Sequence, residues 1–240
     1  MNEETLRIGR FTSSQMYRLC ASLKSGKPSA AFYTYVEEIK IERMLGRSVK
    51  VDVKTRPMRW GSLLEVVLFD LLGLNYSMEH KNTKAHPLYK DFWSGTPDLV
   101  ADYKTGEIKC FEPLHFAKLS IALETKDTEI IKDKEPQPYW QSISNSLIYG
   151  FDKAEILAYM PYKKELIEII DKVETTNFLE RNNLNPSDYY FLTQDNIDNL
   201  PYLPDDSKMS NINSFEFEIP KEDKEFLIER VKLANELLNE

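Results

Sequence analysis

Residues 58–72 are the most apolar stretch of the chain, and as a helix they carry leucine, valine or phenylalanine on nearly every side. A helix of this kind is buried, so other elements must cover it. Short β-type segments at 92–113 and 155–160 are separated by helical patterns. This alternation indicates helices layered on a sheet. The sequence therefore predicts an α/β fold with one deeply buried helix.

Local signals place the other elements. We predict helices over 12–23, 30–45 and 137–150, the last two ending at Gly46 and Gly150, and a strand over 215–219. A C-terminal amphipathic helix follows, and its apolar stripe consists of Leu227, Val231, Ala234 and Leu238. Beyond about residue 170 the chain is acidic and interrupted by prolines. We expect a core domain over 1–170 and, packed on the same domain, a C-terminal extension over 171–240.

Composition excludes several classes of protein. The 240 residues contain only two cysteines, Cys20 and Cys110, which excludes a disulfide framework, a cysteine-rich zinc ribbon and a four-cysteine iron–sulfur cluster. The longest apolar stretch, 63–74, is broken by charged residues, so no membrane span is expected. The first ten residues lack the hydrophobic region of a secretory signal. These features predict a protein of the reducing cytoplasm with no membrane partner.

Charge is divided unevenly along the chain. The formal net charge is −8, yet residues 1–60 hold twelve lysines and arginines against six acidic residues, a net of +6 that leaves −14 for the rest. Such asymmetry fits a chain that binds an anion with one segment, although a solvated basic surface gives the same pattern.

A predicted β-hairpin within 96–111 carries the first candidate site. Glu107 and Lys109 share one face of a strand while Ile108 points into the core. If Asp98 pairs directly with Lys109, a four-residue loop over 102–105 joins the strands and Asp98 lies on the same face, diagonal to Glu107. Two carboxylates and an ammonium suit a hard divalent cation. A cross-strand salt bridge on a solvated sheet is the alternative.

Glu65 interrupts the most apolar part of the buried helix, in the run LLEVVLF. A carboxylate in a dry environment needs compensation, which either a bound metal or a paired arginine provides.

Gln141 and Asn145 are four residues apart on the helix over 137–150, so they project together. Two uncharged hydrogen-bonding groups of this kind suit a sugar-phosphate backbone or a metal-bound water, or equally an ordinary polar surface.

Four blocks of sequence in a fixed order resemble one known family. They are RIGRFTSSQ at 7–15, MRWGSLLE at 58–65, Pro97-Asp98 with Glu107-Ile108-Lys109 eight residues later, and QPYWQSISNSLIYGFDKAEILAYMP at 137–161. Together they are similar to the YqaJ-like, lambda-exonuclease-type phage recombination nucleases of the PD-(D/E)XK superfamily. The resemblance covers residues 7–161 and implies a restriction-endonuclease-like core with a central mixed β-sheet flanked by helices.

The resemblance also implies roles for single residues. Glu65, Asp98, Glu107 and the backbone carbonyl of Ile108 are the implied ligands of Mg²⁺, with Mn²⁺ as a substitute. Lys109 is implied to position or activate the attacking water, and Gln141 to complete the site. Arg7 and Ser14 match positions that bind the 5′ phosphate of a DNA end. One departure is Leu99, which follows Asp98 where the family often has glycine.

The activity implied is digestion of duplex DNA from 5′ ends, leaving 3′ single-stranded overhangs. Implied partners are duplex DNA ends, a single-strand annealing protein, and further copies of the chain in a homotrimeric ring. A bacterial, phage or prophage origin is implied as well. Two alternatives stay open: an endonuclease of restriction or repair type on the same fold, and a catalytically inactive DNA-binding module.

Overall fold

The computed structural model describes residues 6–49, 54–73, 76–78 and 82–239. The predictions that involve residues 1–5, 50–53 and 74 therefore lie partly outside the described residues. Helices in the described residues are α1 (Met16–Cys20), α2 (Ala30–Leu45), α3 (Arg56–Leu72), α4 (Pro113–Glu124), α5 (Thr128–Lys134), α6 (Pro136–Tyr149), α7 (Lys163–Thr175), α8 (Phe178–Arg181), α9 (Phe191–Gln194) and α10 (Lys221–Leu238). Strands are β1 (Phe11–Thr12), β2 (Ser77–Met78), β3 (Lys84–Ala85), β4 (Trp93–Gly95), β5 (Leu99–Val100), β6 (Lys104–Lys109), β7 (Lys153–Tyr159) and β8 (Ile212–Glu218).

A mixed sheet forms the centre of the fold. Its five strands lie in the order β2-β5-β6-β7-β8, with β6 and β7 parallel and the other pairs antiparallel. A smaller sheet has the order β1-β4-β3. Helices cover the main sheet, so the predicted fold class, a central mixed sheet flanked by helices with a helix at the C-terminus, is confirmed.

Alternate residues of β7 face two separate cores. Ala154 and Ile156 pack in the core that contains α2, α6 and α10, while Leu157 packs in the core that contains α3. This alternation is the two-residue period of a strand buried on both faces. The predicted helix exists and begins at Arg56, two residues before the predicted start, but it is buried on one side only, since Met58 and Leu71 are exposed.

The hairpin exists, but its predicted register is wrong. Leu99 pairs with Gly106, and the N–H of Ala101 donates to the carbonyl of Lys104 at 2.9 Å, which leaves a two-residue turn. Continuing the ladder by one residue places Asp98 opposite Glu107 rather than Lys109. Packing favours this register: Leu99 is fully buried, and a Cβ at position 106 would lie 3.2 Å from its Cβ, so a glycine there lets the two strands approach without displacing Leu99. A shift of two residues preserves the face, so Asp98 still meets Glu107.

Several local predictions differ in extent. The predicted helix over 12–23 is a 3-10 turn at Ser13–Gln15 followed by the short α1. Helices α4, α5 and α7 lie where no helix is predicted. Helix α2 matches its predicted bounds and ends at Gly46, whose φ of 65° is left-handed.

The C-terminal extension is part of the same layers. Position 170 lies inside α7, β8 pairs along the length of β7, and the predicted stripe of α10 is buried in the first core. Among the described residues, no helix combines the length and the apolar character needed to cross a bilayer.

Candidate active site

Strand β6 brings a glutamate and a lysine together in the interior. Glu107 is 1% exposed, and its Oε1 accepts a hydrogen bond from Lys109 Nζ at 2.7 Å. Asp98 lies at the start of β5, where its Oδ2 accepts the backbone N–H of Ile108 at 2.8 Å. The alternative of a solvated cross-strand salt bridge is therefore wrong, because the pair is inside the protein.

Glu65 reaches the same place from α3. Its carboxylate lines a cavity together with Asp98, and its strongest electrostatic neighbours are Asp98, Lys109 and Glu107. In the described parts of the chain it has no hydrogen-bond or ion-pair partner. The paired arginine that would compensate it is thus absent from the described residues.

Helix α6 closes the site with two amides. Gln141 Oε1 accepts from Lys109 Nζ at 3.2 Å, and Asn145 Nδ2 donates to Glu107 Oε2 at 3.1 Å. Both side chains are buried, at 8% and 1% exposure. The interpretation of this face as an ordinary polar surface is wrong, because α6 lies against β6 rather than at the surface.

Burial and crowding of like charges shift the pKa values of the site. Burial, reinforced by the carboxylate of Asp98, raises the pKa of Glu107 to about 8. Burial and the same carboxylate raise the pKa of Glu65 well above its usual range. Burial opposes the charge of Lys109, but the carboxylates of Glu107 and Asp98 outweigh it and raise the pKa of the ammonium. One ammonium thus faces three carboxylates.

A polar cavity of about 410 Å³ opens beside this cluster. Arg7 and Ser14 line it together with Glu65, Asp98 and Gln141. The structure therefore brings the two predicted end-binding residues to the same cavity as three of the predicted catalytic residues, while Glu107 and Lys109 lie outside its lining. Six hydroxyl side chains and one lysine to which the sequence assigned no role also line it, namely Thr12, Ser13, Ser62, Thr83, Ser94, Thr96 and Lys54. Some of them lie in the recognised sequence blocks, but only the fold shows that they converge on one cavity.

A second cavity of about 430 Å³ lies on the other side of Glu65. Its walls include Ile108, Lys109, Trp60 and His115, and it shares Glu65 and Ser62 with the first. Glu65 thus stands between a polar cavity and a mostly apolar one.

The carboxylate oxygens of the site are the ligand type that a hard divalent cation prefers, but the side chains are not arranged around one point. Among the described residues, no group of three His, Cys, Asp or Glu side chains is arranged to hold a metal ion. Glu107 is instead balanced by Lys109, and Asp98 by the Ile108 N–H. Even so, three carboxylates with one ammonium leave negative charge that oxygen-preferring Mg²⁺ would neutralise. The roles predicted for these side chains and for the Ile108 carbonyl stay predictions.

Two exonucleases of known structure share this fold. LHK-Exo, an alkaline exonuclease from Laribacter hongkongensis, superposes with a TM-score of 0.62 at 13% identity, over 98% of this chain and 91% of that one in its complex with dAMP. A phage-related exonuclease from Haemophilus somnus 129PT gives a TM-score of 0.58 at 15% identity, over 98% and 96% of the two chains. No family model matches the chain. No curated protein matches it either. The resemblance to lambda-exonuclease-type nucleases is therefore confirmed for the fold.

Proposed function

We propose that this chain is a Mg²⁺-dependent exonuclease that digests duplex DNA from its 5′ ends and leaves 3′ single-stranded overhangs. The observation that carries the proposal is the cluster of Glu65, Asp98 and Glu107 around Lys109 beside a cavity with basic and hydroxyl walls. A fold shared with LHK-Exo and the phage-related exonuclease supports it, as does the nucleotide dAMP in the LHK-Exo complex.

The carboxylates of Glu65, Asp98 and Glu107, with the Ile108 carbonyl, would hold the metal. When bound, Mg²⁺, or Mn²⁺ in its place, polarises a phosphodiester and lowers the pKa of a coordinated water. Lys109 would orient the attacking water through its ammonium, which Gln141 Oε1 steadies from α6. The surplus of carboxylates over cations is what makes the bound metal favourable here.

End recognition would fall to Arg7 and Ser14 in the same cavity. A guanidinium and a hydroxyl are donors that suit a terminal phosphate. Because that phosphate would lie beside the carboxylate cluster, the bond cut would be near the 5′ end. This arrangement supports the proposed polarity.

Linear duplex DNA labelled at its 5′ or at its 3′ end tests the proposal. With Mg²⁺, the 5′ label should be released as small products first while the 3′-labelled strand shortens progressively, and chelation should stop both. Intact DNA at high protein concentration with either metal would contradict the proposal.

Closed circular duplex DNA is the control, since an exonuclease needs an end. Cleavage of the circle would favour the endonuclease alternative.

We further propose a bacterial cytoplasmic setting, assembly as a homotrimeric ring and an annealing partner for the overhang. Sedimentation of the intact chain tests the ring.

A further inference from the structure

Asn145 is a buried amide one helical turn after Gln141, and the roles proposed above do not include it. Its Nδ2 donates to Glu107 Oε2 at 3.1 Å and approaches the carbonyl of Thr96 at 3.5 Å. A backbone carbonyl only accepts hydrogen bonds, so the amide presents its nitrogen to the carbonyl of Thr96 and, on the same side, to Glu107 Oε2. The orientation of Asn145 is therefore fixed by chemistry.

Each oxygen of Glu107 has its own donor. Lys109 Nζ donates to Oε1 and Asn145 Nδ2 to Oε2. Lys109 also donates to Gln141, so its position depends on a second partner. Asn145 is the uncharged donor, and its bond to Oε2 keeps the carboxylate of Glu107 in one orientation even if the bond from Lys109 to Oε1 is broken during the reaction.

The amide oxygen of Asn145, Oδ1, accepts no hydrogen bond from the described residues. Asn145 Oδ1 is buried and unpartnered in the described part of the chain, and it lies against Gly95. A side chain at position 95 would overlap both Asn145 Oδ1 and Ser13 Oγ. An unsatisfied buried carbonyl is unfavourable, and the charge-assisted bond to Glu107 is the contact that offsets it.

The surroundings leave the amide little freedom. Ser13 Oγ lies 2.8 Å from Ser144 Oγ, which also accepts the indole N–H of Trp93 at 2.9 Å. All three side chains are buried. Gly95 thus leaves the space that Ser13 Oγ and Asn145 Oδ1 share, with Ser13 held by Ser144 on one side and Asn145 bonded to Glu107 on the other.

We infer that Asn145 is a positioning residue that holds Glu107 in the orientation required for the divalent cation, and that Gly95 is the position that permits it. The inference rests on the proposed function, in which Glu107 is a metal ligand. Partners that orient a metal ligand typically change metal affinity or activity about 10- to 100-fold when removed.

Asn145→Ala and a matched control, Ser146→Ala, test the inference. Ser146 is the next residue of α6, is equally buried, and lies 2.7 Å from the Thr105 hydroxyl on the same strand, away from the carboxylates. Calorimetric titration with Mn²⁺ in the absence of DNA, kcat and KM on linear duplex, and thermal melting are measured for both variants. Asn145→Ala should weaken Mn²⁺ binding about 10-fold and lower kcat about 10- to 100-fold with KM nearly constant, while Ser146→Ala matches wild type.

Gly95→Ala provides a second variant should Asn145→Ala fold poorly, and it should weaken Mn²⁺ binding in the same direction. Equal Mn²⁺ affinity and equal kcat in Asn145→Ala and Ser146→Ala would overturn the inference, whatever happens to the melting temperature. Wild-type protein that binds Mn²⁺ without cutting DNA would remove the proposed function, and the titration would still decide the role of Asn145. Wild-type protein that binds no Mn²⁺ would overturn both.

Discussion

The two glutamates of the cluster differ in their hydrogen-bond partners and in how far they are enclosed. Glu107, on β6, has a donor for each carboxylate oxygen and is fully enclosed. Glu65, on α3, borders two cavities and has no ion-pair or hydrogen-bond partner among the described residues. The β6–α6 half of the site is therefore complete by itself, whereas the α3 half is not.

This difference separates a carboxylate whose position is fixed by protein contacts, Glu107, from one whose position a bound cation would fix, Glu65. A half-buried carboxylate without a polar partner is unusual beside an apolar core, and such exceptions concentrate at functional sites. If the two halves meet only through a cation, changes on β6 should affect stability and activity together, and changes on α3 should affect activity alone.

The largest effect is expected for Lys109→Met. Loss of the ammonium removes the cation that pairs with Glu107 and faces Glu65 and Asp98, and it removes the group proposed to orient water, so kcat should fall about 10³-fold. Steady-state digestion of end-labelled duplex measures it. Lys104→Met is the matched control, because Lys104 is also buried on β6 and ion-paired, to Glu155 at 2.8 Å. A comparable loss of kcat in that control would show that the effect is structural.

Glu107→Gln and Glu65→Gln should differ in stability. Glu107→Gln should lower the free energy of unfolding by about 2 kcal/mol, because the glutamine NH₂ replaces one acceptor oxygen and leaves either Lys109 Nζ or Asn145 Nδ2 without an acceptor. Glu65→Gln should leave it unchanged or raise it by about 1 kcal/mol, since only repulsion is lost. Urea denaturation without metal measures both. Equal losses would mean that Glu65 has a structural partner and that the two halves are alike.

Stability without metal should fall as pH rises from about 6.5 to about 8. Burial raises the pKa of Glu107 to about 8, above the unfolded value of about 4.3. The folded chain thus binds the extra proton in this window, and its stabilisation is lost as that proton leaves, an expected loss of about 2 kcal/mol. Below this window His86 acts oppositely, because burial lowers its pKa to about 4.

Denaturation in a chelating buffer at several pH values measures this slope, and Glu107→Gln should flatten it. Saturating Mg²⁺ should flatten it too, because a bound cation favours the ionised carboxylates. A free energy of unfolding that rises across the window would contradict the assignment of these pKa shifts.

Local sequence signals predicted the elements but not how they meet. The run of α2 to Gly46 and the stripe of α10 follow from periodicity and capping, which are properties of neighbouring residues. The hairpin register does not follow from periodicity or capping, because it depends on how Leu99 fills the space beside Gly106. Helix α7 went unpredicted although Leu166, Ile169, Ile170 and Val173 follow the helical i, i+3, i+4, i+7 spacing, so its signal was present in the sequence and was missed.

The candidate site divides in the same way. Motif order identified Glu65, Asp98, Glu107, Lys109 and Gln141, and the fold gathers them. The hydrogen bond from Asn145 to Glu107 required knowledge of how α6 lies on β6. Lys54 belongs to the basic segment 1–60, but the charge pattern did not single it out among the twelve lysines and arginines there, because its approach to the cavity is set by tertiary contacts.

The smallest effect is expected for Asp188→Asn in the C-terminal extension. Asp188 pairs with Arg59 at the start of α3 at 3.1 Å, and both side chains are about a third exposed. Such pairs contribute less than about 1 kcal/mol, and salt screens them. Stability should therefore fall slightly at low salt and match wild type at high salt, with kcat nearly constant. A tenfold loss of kcat would instead mean that the extension holds α3, and with it Glu65, in place, so that the incomplete half of the site is completed by protein as well as by a cation.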